Sequence, residues 1–155
     1  MSDFRESSDF RESIDIDRRP EDVWAYITEF SHIPEWQENA VSAEQLDAGP
    51  VGVGSRLRIT RHIGRRDIPM TMKLTEFEPP RVWGMQGVDG PVRAHVHGEI
   101  TPLDDGRRSR VTMEVGFDGK GIGKALVPLV VRPRIRKELP RNEQHLKDRL
   151  EHTPA

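Results

Sequence analysis

The chain has 155 residues, with 24 Lys and Arg against 26 Asp and Glu, a formal net charge of -2 and no cysteine. That length suits one domain with its own core, and the near-balanced charge gives no one-signed field to attract nucleic acid or anionic lipid. The missing thiols exclude disulfides, thiol nucleophiles and thiolate metal sites.

Residues 2–7 (SDFRES) recur identically as residues 8–13. Two copies of so short a unit cannot build a solenoid, so residues 1–12 are expected to be an N-terminal tail running into the first strand. Residues 13–151 are expected to form the domain, with a short tail at 152–155. The polar, acidic start lacks the basic and apolar stretches of a secretory signal. The longest apolar stretch, Ala125 to Val131, is far shorter than the roughly 20 residues of a membrane span and contains Pro128. A cytoplasmic protein without a membrane span is expected.

Phe10, Glu12, Ile14 and Ile16 alternate on one face of a predicted first strand. Arg19-Pro20-Glu21-Asp22 then opens a helix, with proline where its missing N–H costs nothing and acids at the positive helix end. Val23, Ile27 and Phe30 form its apolar stripe beside Trp24. Ser31 is expected to cap a second short helix carrying Ile33 and Trp36.

From Ala40 to Phe117 the period changes to two, broken by turn residues at Asp47-Ala48-Gly49-Pro50, Gly64, Pro79-Pro80, Asp89-Gly90-Pro91 and Asp104-Asp105-Gly106. This predicts six more strands. Leu57 and Ile59 alternate with arginines, and Met70, Met72 and Leu74 alternate with Thr71 and Lys73. Ala94, Val96, Gly98 and Ile100 alternate with His95, His97 and Glu99, and Val111, Met113, Val115 and Phe117 with Thr112 and Glu114. Such a pattern belongs to an antiparallel sheet covered on one face.

The cover is predicted over residues 120–151, where Val127, Val131, Ile135, Leu139, Leu146 and Leu150 share one helical face. Arg132, Arg134, Arg136, Lys137, Arg141 and Lys147, with Glu138, Glu143 and Asp148, read as the solvated face. Pro128, Pro133 and Pro140 each remove a backbone donor, and the number of helical pieces stays open.

The order strand, two short helices, six strands and long helix resembles the START-like superfamily, also called SRPBCC, and most closely its polyketide cyclase/dehydrase branch. The residues that carry the resemblance run from Ile14-Asp15-Ile16 into Arg19-Pro20-Glu21-Asp22-Val23-Trp24-Ala25-Tyr26-Ile27, then Phe30 and Ile33-Pro34-Glu35-Trp36. They continue through Val51-Gly52-Val53-Gly54-Ser55, residues 74–81 (LTEFEPPR) and residues 100–106 (ITPLDDG). The resemblance implies an α+β helix-grip fold, a seven-stranded curved antiparallel sheet wrapped around a long C-terminal helix. It also implies a ligand cavity between them. Its members span cyclases, lipid and hormone binders and co-chaperone domains, so it implies no single activity. Gly98 stands where relatives carry an aromatic, which leaves volume for neighbours or a ligand to fill.

The expected ligand-binding set is Leu57, Ile59, Met70, Met72, Leu74, Trp83, Met85, Val96, Gly98, Ile100, Met113 and Val115. Methionine adapts to varied apolar ligands, although the same residues would also pack a solid core. Catalytic residues are not assigned. Arg61, Glu76, Gln86 and Tyr26 are the polar side chains considered as contacts to the cavity, where an Arg or Tyr could hold a polyketide carbonyl. His95-x-His97-x-Glu99 has strand spacing for a metal chelate but falls on the outward side, so no metal and no cofactor are expected.

Three functions follow as alternatives. One is binding of a hydrophobic polyketide-, lipid- or isoprenoid-like molecule, and another is a polyketide aromatase/cyclase or dehydratase in the same cavity. The third, a co-chaperone or interaction module, would have a filled interior. The partner expected is a hydrophobic small molecule and not nucleic acid, and the oligomeric state is not determined.

Overall fold

The computed structural model describes residues 10–152. The first SDFRES copy, the start of the second and the last three residues lie outside that range. The elements are β1 Phe10–Ile16, α1 Pro20–Thr28, α2 Ile33–Trp36, β2 Ala40–Gln45, β3 Arg56–Ile63, β4 Arg66–Glu78, β5 Val82–Gly87, β6 Val92–Leu103, β7 Arg108–Gly119, α3 Gly123–Leu126 and α4 Arg132–His152. The seven strands form one antiparallel sheet in the order β1-β7-β6-β5-β4-β3-β2.

Strands β2 to β7 follow one another as a meander, and β1 returns to pair with β7. This connectivity gives the sheet two ends. The β3–β4 and β5–β6 turns and the β7–α3 loop lie at one, here the upper end. The β4–β5 and β6–β7 turns and the β1–α1 link lie at the other. At the lower end Asp104, Asp105 and Gly106 all take positive φ, a conformation that short polar residues and glycine tolerate best.

Pro20 stands in the first turn of α1, with Glu21 and Asp22 beside it. Ser31 does not cap α2. Its hydroxyl donates to the Glu29 carboxylate instead (3.0 Å), and a single 3-10 turn at Phe30–His32 leads into α2. The terminal helical run is continuous through its prolines. Val127–Val131 forms a wider turn in which the Arg132 N–H reaches the Val127 carbonyl, five residues back. That widening lies immediately ahead of Pro133, whose ring would crowd the preceding turn and whose missing N–H leaves one carbonyl without its usual donor.

α4 crosses the concave face from one sheet edge to the other. On the β1 side Lys147 Nζ donates to the Asp15 carbonyl (2.6 Å), and the Asp17 N–H donates to Glu151 (2.8 Å). Toward β2 the Glu38 N–H donates to Asn142 Oδ1 (3.1 Å), and Asn39 Nδ2 to Glu138 (3.2 Å). The core under the helix includes Ile16, Val23, Leu57, Leu74, Trp83, Ile100, Val111 and Leu146, all essentially inaccessible.

Candidate functional site beneath the terminal helix

The sheet contributes a nearly unbroken apolar wall. Leu57, Ile59, Met72, Leu74, Trp83, Met85, Ile100, Met113 and Val115 are buried, Gly98 is buried among them, and Met70 and Val96 are half-buried. Register joins them across strands: Leu57 pairs with Met72, Ile59 with Met70, Leu74 with Met85, Met85 with Val96 and Val96 with Val115.

Burial along this wall is graded. Toward the lower end Trp24, Phe77 and Trp83 form an aromatic cluster, with ring centroids 5.1 Å apart for Trp24–Phe77 and 6.5 Å for Trp24–Trp83. Gly98 opens no void there. It pairs directly with Trp83, whose indole lies over it, so that a Cβ on residue 98 would collide with the ring. Of the two ways to use the volume a glycine leaves, the neighbour's ring is the one realised. Toward the upper end Met70, Ala94, Val96 and Phe117 stay half-buried, as do Phe10 on β1 and Ile135 on α4. Burial of the apolar wall is therefore complete below and partial above.

Of the polar side chains considered, Glu76 does not fall where its spacing predicts. β4 carries a bulge between Leu74 and Glu76, and one extra residue reverses the facing of everything after it. Phe77 consequently turns inward and Glu76 outward. Gln86 is exposed, and the Tyr26 hydroxyl donates to exposed Glu35 (2.7 Å) while its ring stacks on His32. Burial and that hydrogen bond push the Tyr26 phenol above its ordinary range.

Only Arg61 of the four continues the inner face. Its Nη1 donates to Asn39 Oδ1 (2.8 Å), and Asn39 in turn donates to Glu138 on α4. Burial lowers the guanidinium to about 10 although part of the side chain still meets solvent, and burial raises the Glu138 carboxyl.

The most informative group is one assigned to the solvated face of the helix. Glu143 is 2% exposed and stands on the inward stripe, four residues after Leu139 and three before Leu146. Its Oε2 has no hydrogen-bond partner among the described residues, and neither has the indole Nε1 of Trp36 on α2, which packs against α4. Burial, reinforced by Glu12 on the inner face of β1, raises the Glu143 carboxyl to about 8. At neutral pH it is a carboxylic acid, able to donate as well as accept. The sequence signal was available: the apolar stripe skips from Leu139 to Leu146, and the positions between that face inward are 142 and 143.

On the convex face, His97 lies between two carboxylates, Nδ1 to Glu76 at 2.7 Å and Nε2 to Glu99 at 2.9 Å. Burial lowers the His97 pKa, but the hydrogen bonds to Glu99 and Glu76 more than offset it and leave it raised. The stripe faces away from α4 as its spacing predicts, yet it is not loosely solvated, since His95, Thr112 and Glu114 are buried. Among the described residues no three His, Asp or Glu side chains are placed to share a metal ion. Two surface hollows lie apart from the interior. One of about 820 Å³ runs over the β1 edge between Arg11, Thr101, Arg110 and Lys147, and one of about 320 Å³ lies between Glu35 and Arg149. None of the expected ligand-binding residues lines either, and both are lined mainly by polar side chains.

Solved structures share this architecture. TTHA0849 from Thermus thermophilus superposes with a TM-score of 0.73 at 15% identity, over 90% of this chain and 94% of that one. The Zhui aromatase/cyclase from Streptomyces sp. R1128 gives 0.69 at 14% identity, over 91% and 89%. The di-domain ARO/CYC BexL, from the BE-7585A biosynthetic pathway, gives 0.72 at 15% identity, with this chain matching 46% of its length. At such identities the likeness establishes the fold. No curated protein matches the sequence. The family model described as polyketide cyclase / dehydrase and lipid transport matches residues 7–151, and the chain belongs to that family.

Proposed function

We propose that the protein binds a hydrophobic small molecule, polyketide-, lipid- or isoprenoid-like, between the sheet and the terminal helix, with Glu143 as its polar anchor. One observation carries the reading. A buried carboxyl whose Oε2 has no hydrogen-bond partner among the described residues stands on the helix face that covers an apolar wall, and that wall stays partly uncovered at the upper end. Buried polar atoms are almost always satisfied, and a ligand with an apolar body and one oxygen function would satisfy this one. Family membership supports the same chemical class of ligand.

Native mass spectrometry of protein purified under non-denaturing conditions from the cells that make it tests this. A co-purifying apolar molecule, retained less by Glu143→Ala, is the expected result. Uniformly empty protein that also takes up no added apolar ligand would contradict it.

A second reading, a polyketide aromatase/cyclase or dehydratase in the same interior, is favoured by the surroundings of one group: Glu143 is 2% exposed, its Oε2 has no hydrogen-bond partner among the described residues, and burial raises its carboxyl to about 8. Such a group can give its proton to a carbonyl oxygen as an enol carbon of the same chain attacks the carbonyl carbon, the C=O π bond opening to a hydroxyl, and the carboxylate left behind can take up the proton that the enol oxygen releases. Glutamine at 143 keeps a hydrogen-bond donor but has no proton to transfer. Under this reading Glu143→Gln retains ligand and loses turnover of a polyketide-like substrate, whereas under simple binding no turnover exists to lose.

A further inference from the structure

The upper end of the molecule combines apolar tips with a local excess of positive charge. Among the described residues seven large apolar side chains are exposed, and Ile68, Val88, Ile122, Leu129 and Val130 lie at this end or on the first turns of the helix that starts there. Ile122 and Leu129 are 70% and 75% exposed, and with half-buried Leu126 between them their spacing puts all three on one helical flank. The Lys120 N–H donates to the Pro91 carbonyl (2.8 Å), which ties the β5–β6 turn carrying Val88 to the start of the helix.

Residues 119–137 hold six basic side chains and no acidic one. Two of them, Arg132 and Arg136, lie over the Phe10 ring. Lys120, Lys124, Arg65 and Arg66 are exposed at the same end and make no ion pair among the described residues. The acids nearby are engaged: Asp67 with His62 (2.7 Å), Asp89 with the Thr71 N–H (3.1 Å), and Asp118 facing His95 at 3.9 Å. Exposed aliphatic tips rimmed by unpaired cations suit an interface that is apolar inside and anionic at its surface, which is the chemistry of an anionic lipid bilayer.

We infer that the upper end, through Ile122, Leu129, Val130 and the Lys120–Lys124 segment, docks peripherally on anionic membrane surfaces. Among the described residues no helix is long and apolar enough to cross a membrane, so the contact is superficial. Docked this way, the half-buried upper part of the wall proposed above as the ligand site faces the bilayer. Docking is measured without ligand, so its failure is distinguishable from failure of ligand binding.

The test is co-sedimentation of the full chain with vesicles of phosphatidylcholine alone or with one part in three phosphatidylglycerol, alongside Ile122→Glu/Leu129→Glu and Lys120→Glu/Lys124→Glu. The expected result is about tenfold stronger binding to the anionic vesicles, falling by about tenfold or more in each double variant and at molar salt. The substituted side chains are exposed, so circular dichroism should report an unchanged fold. No binding of the wild-type protein to anionic vesicles, or equal binding by the double variants, would overturn the inference. So would a wild-type dimer that Ile122→Glu/Leu129→Glu dissociates while no vesicle binding is seen, because the patch would then cover a second copy of the chain.

Discussion

Replacing Glu143 by glutamine removes a carboxyl that the fold holds protonated, and the size of the effect follows from its surroundings. The folded carboxyl ionises near pH 8, against 4.5 for the ordinary group, because burial and nearby Glu12 both oppose the charge. Below about pH 4.5 folded and unfolded chains are both protonated here, and ionisation costs the fold nothing. Between the two values the unfolded chain releases a proton that the folded chain keeps, so native stability falls by about 1.4 kcal/mol per pH unit. The loss reaches roughly 3 kcal/mol at pH 7 and approaches an upper bound of about 5 kcal/mol once the folded group ionises. Glu143→Gln escapes this loss. Its stability should match that of the wild type at about pH 4 and exceed it progressively toward pH 8, as read from urea unfolding of both proteins across that range. A difference that stays constant with pH would mean that Glu143 is already ionised in the folded protein, and the reasoning about a buried acid would fail.

Other expectations follow from the same packing. Gly98→Ala pushes a methyl group into the Trp83 indole and should destabilise by about 1–3 kcal/mol in chemical denaturation, with a matching change in near-ultraviolet tryptophan dichroism. Leu146→Ala, at a fully buried position on α4, should cost about 2–5 kcal/mol. His97 has a raised pKa, so the stability it gains from Glu76 and Glu99 is fully present below about pH 6.5 and disappears as pH rises through the folded value. His97→Gln should therefore be less stable than the wild type in acid and closest to it in alkali, and the reverse order would refute the pairing.

Much of this arrangement was legible in the sequence because β-strand alternation is a local property. Leu57, Ile59, Met72 and Leu74 declare their face through their immediate neighbours, and the sheet needed no further information to be read as one-sided. Glu76 was not legible for the same reason: the bulge after Leu74 carries no glycine or proline, and it is specified by pairing with Met85 and Gly84 across the sheet. The fate of the volume over Gly98 likewise depended on register, because only pairing sets Trp83 opposite it. Glu143 reads as a surface acid because carboxylates are seldom buried, although its place between Leu139 and Leu146 puts it inward by helical geometry alone. The graded burial of the wall, with Trp24, Phe77 and Trp83 filling one end, belongs to tertiary packing and left no mark on any single segment.

Four of the five methionines lie on the proposed binding wall, which provides reporters at the point of interest. Methyl NMR of methionine-labelled protein, titrated with a tricyclic aromatic ketone, addresses the wall residue by residue. The account predicts saturable shifts that are largest at the Met70 methyl, at the half-buried upper end, with smaller changes at Met72, Met85 and Met113 and weaker binding in Glu143→Ala. Methyl resonances that do not move while the ligand binds elsewhere, or fails to bind at all, would contradict it.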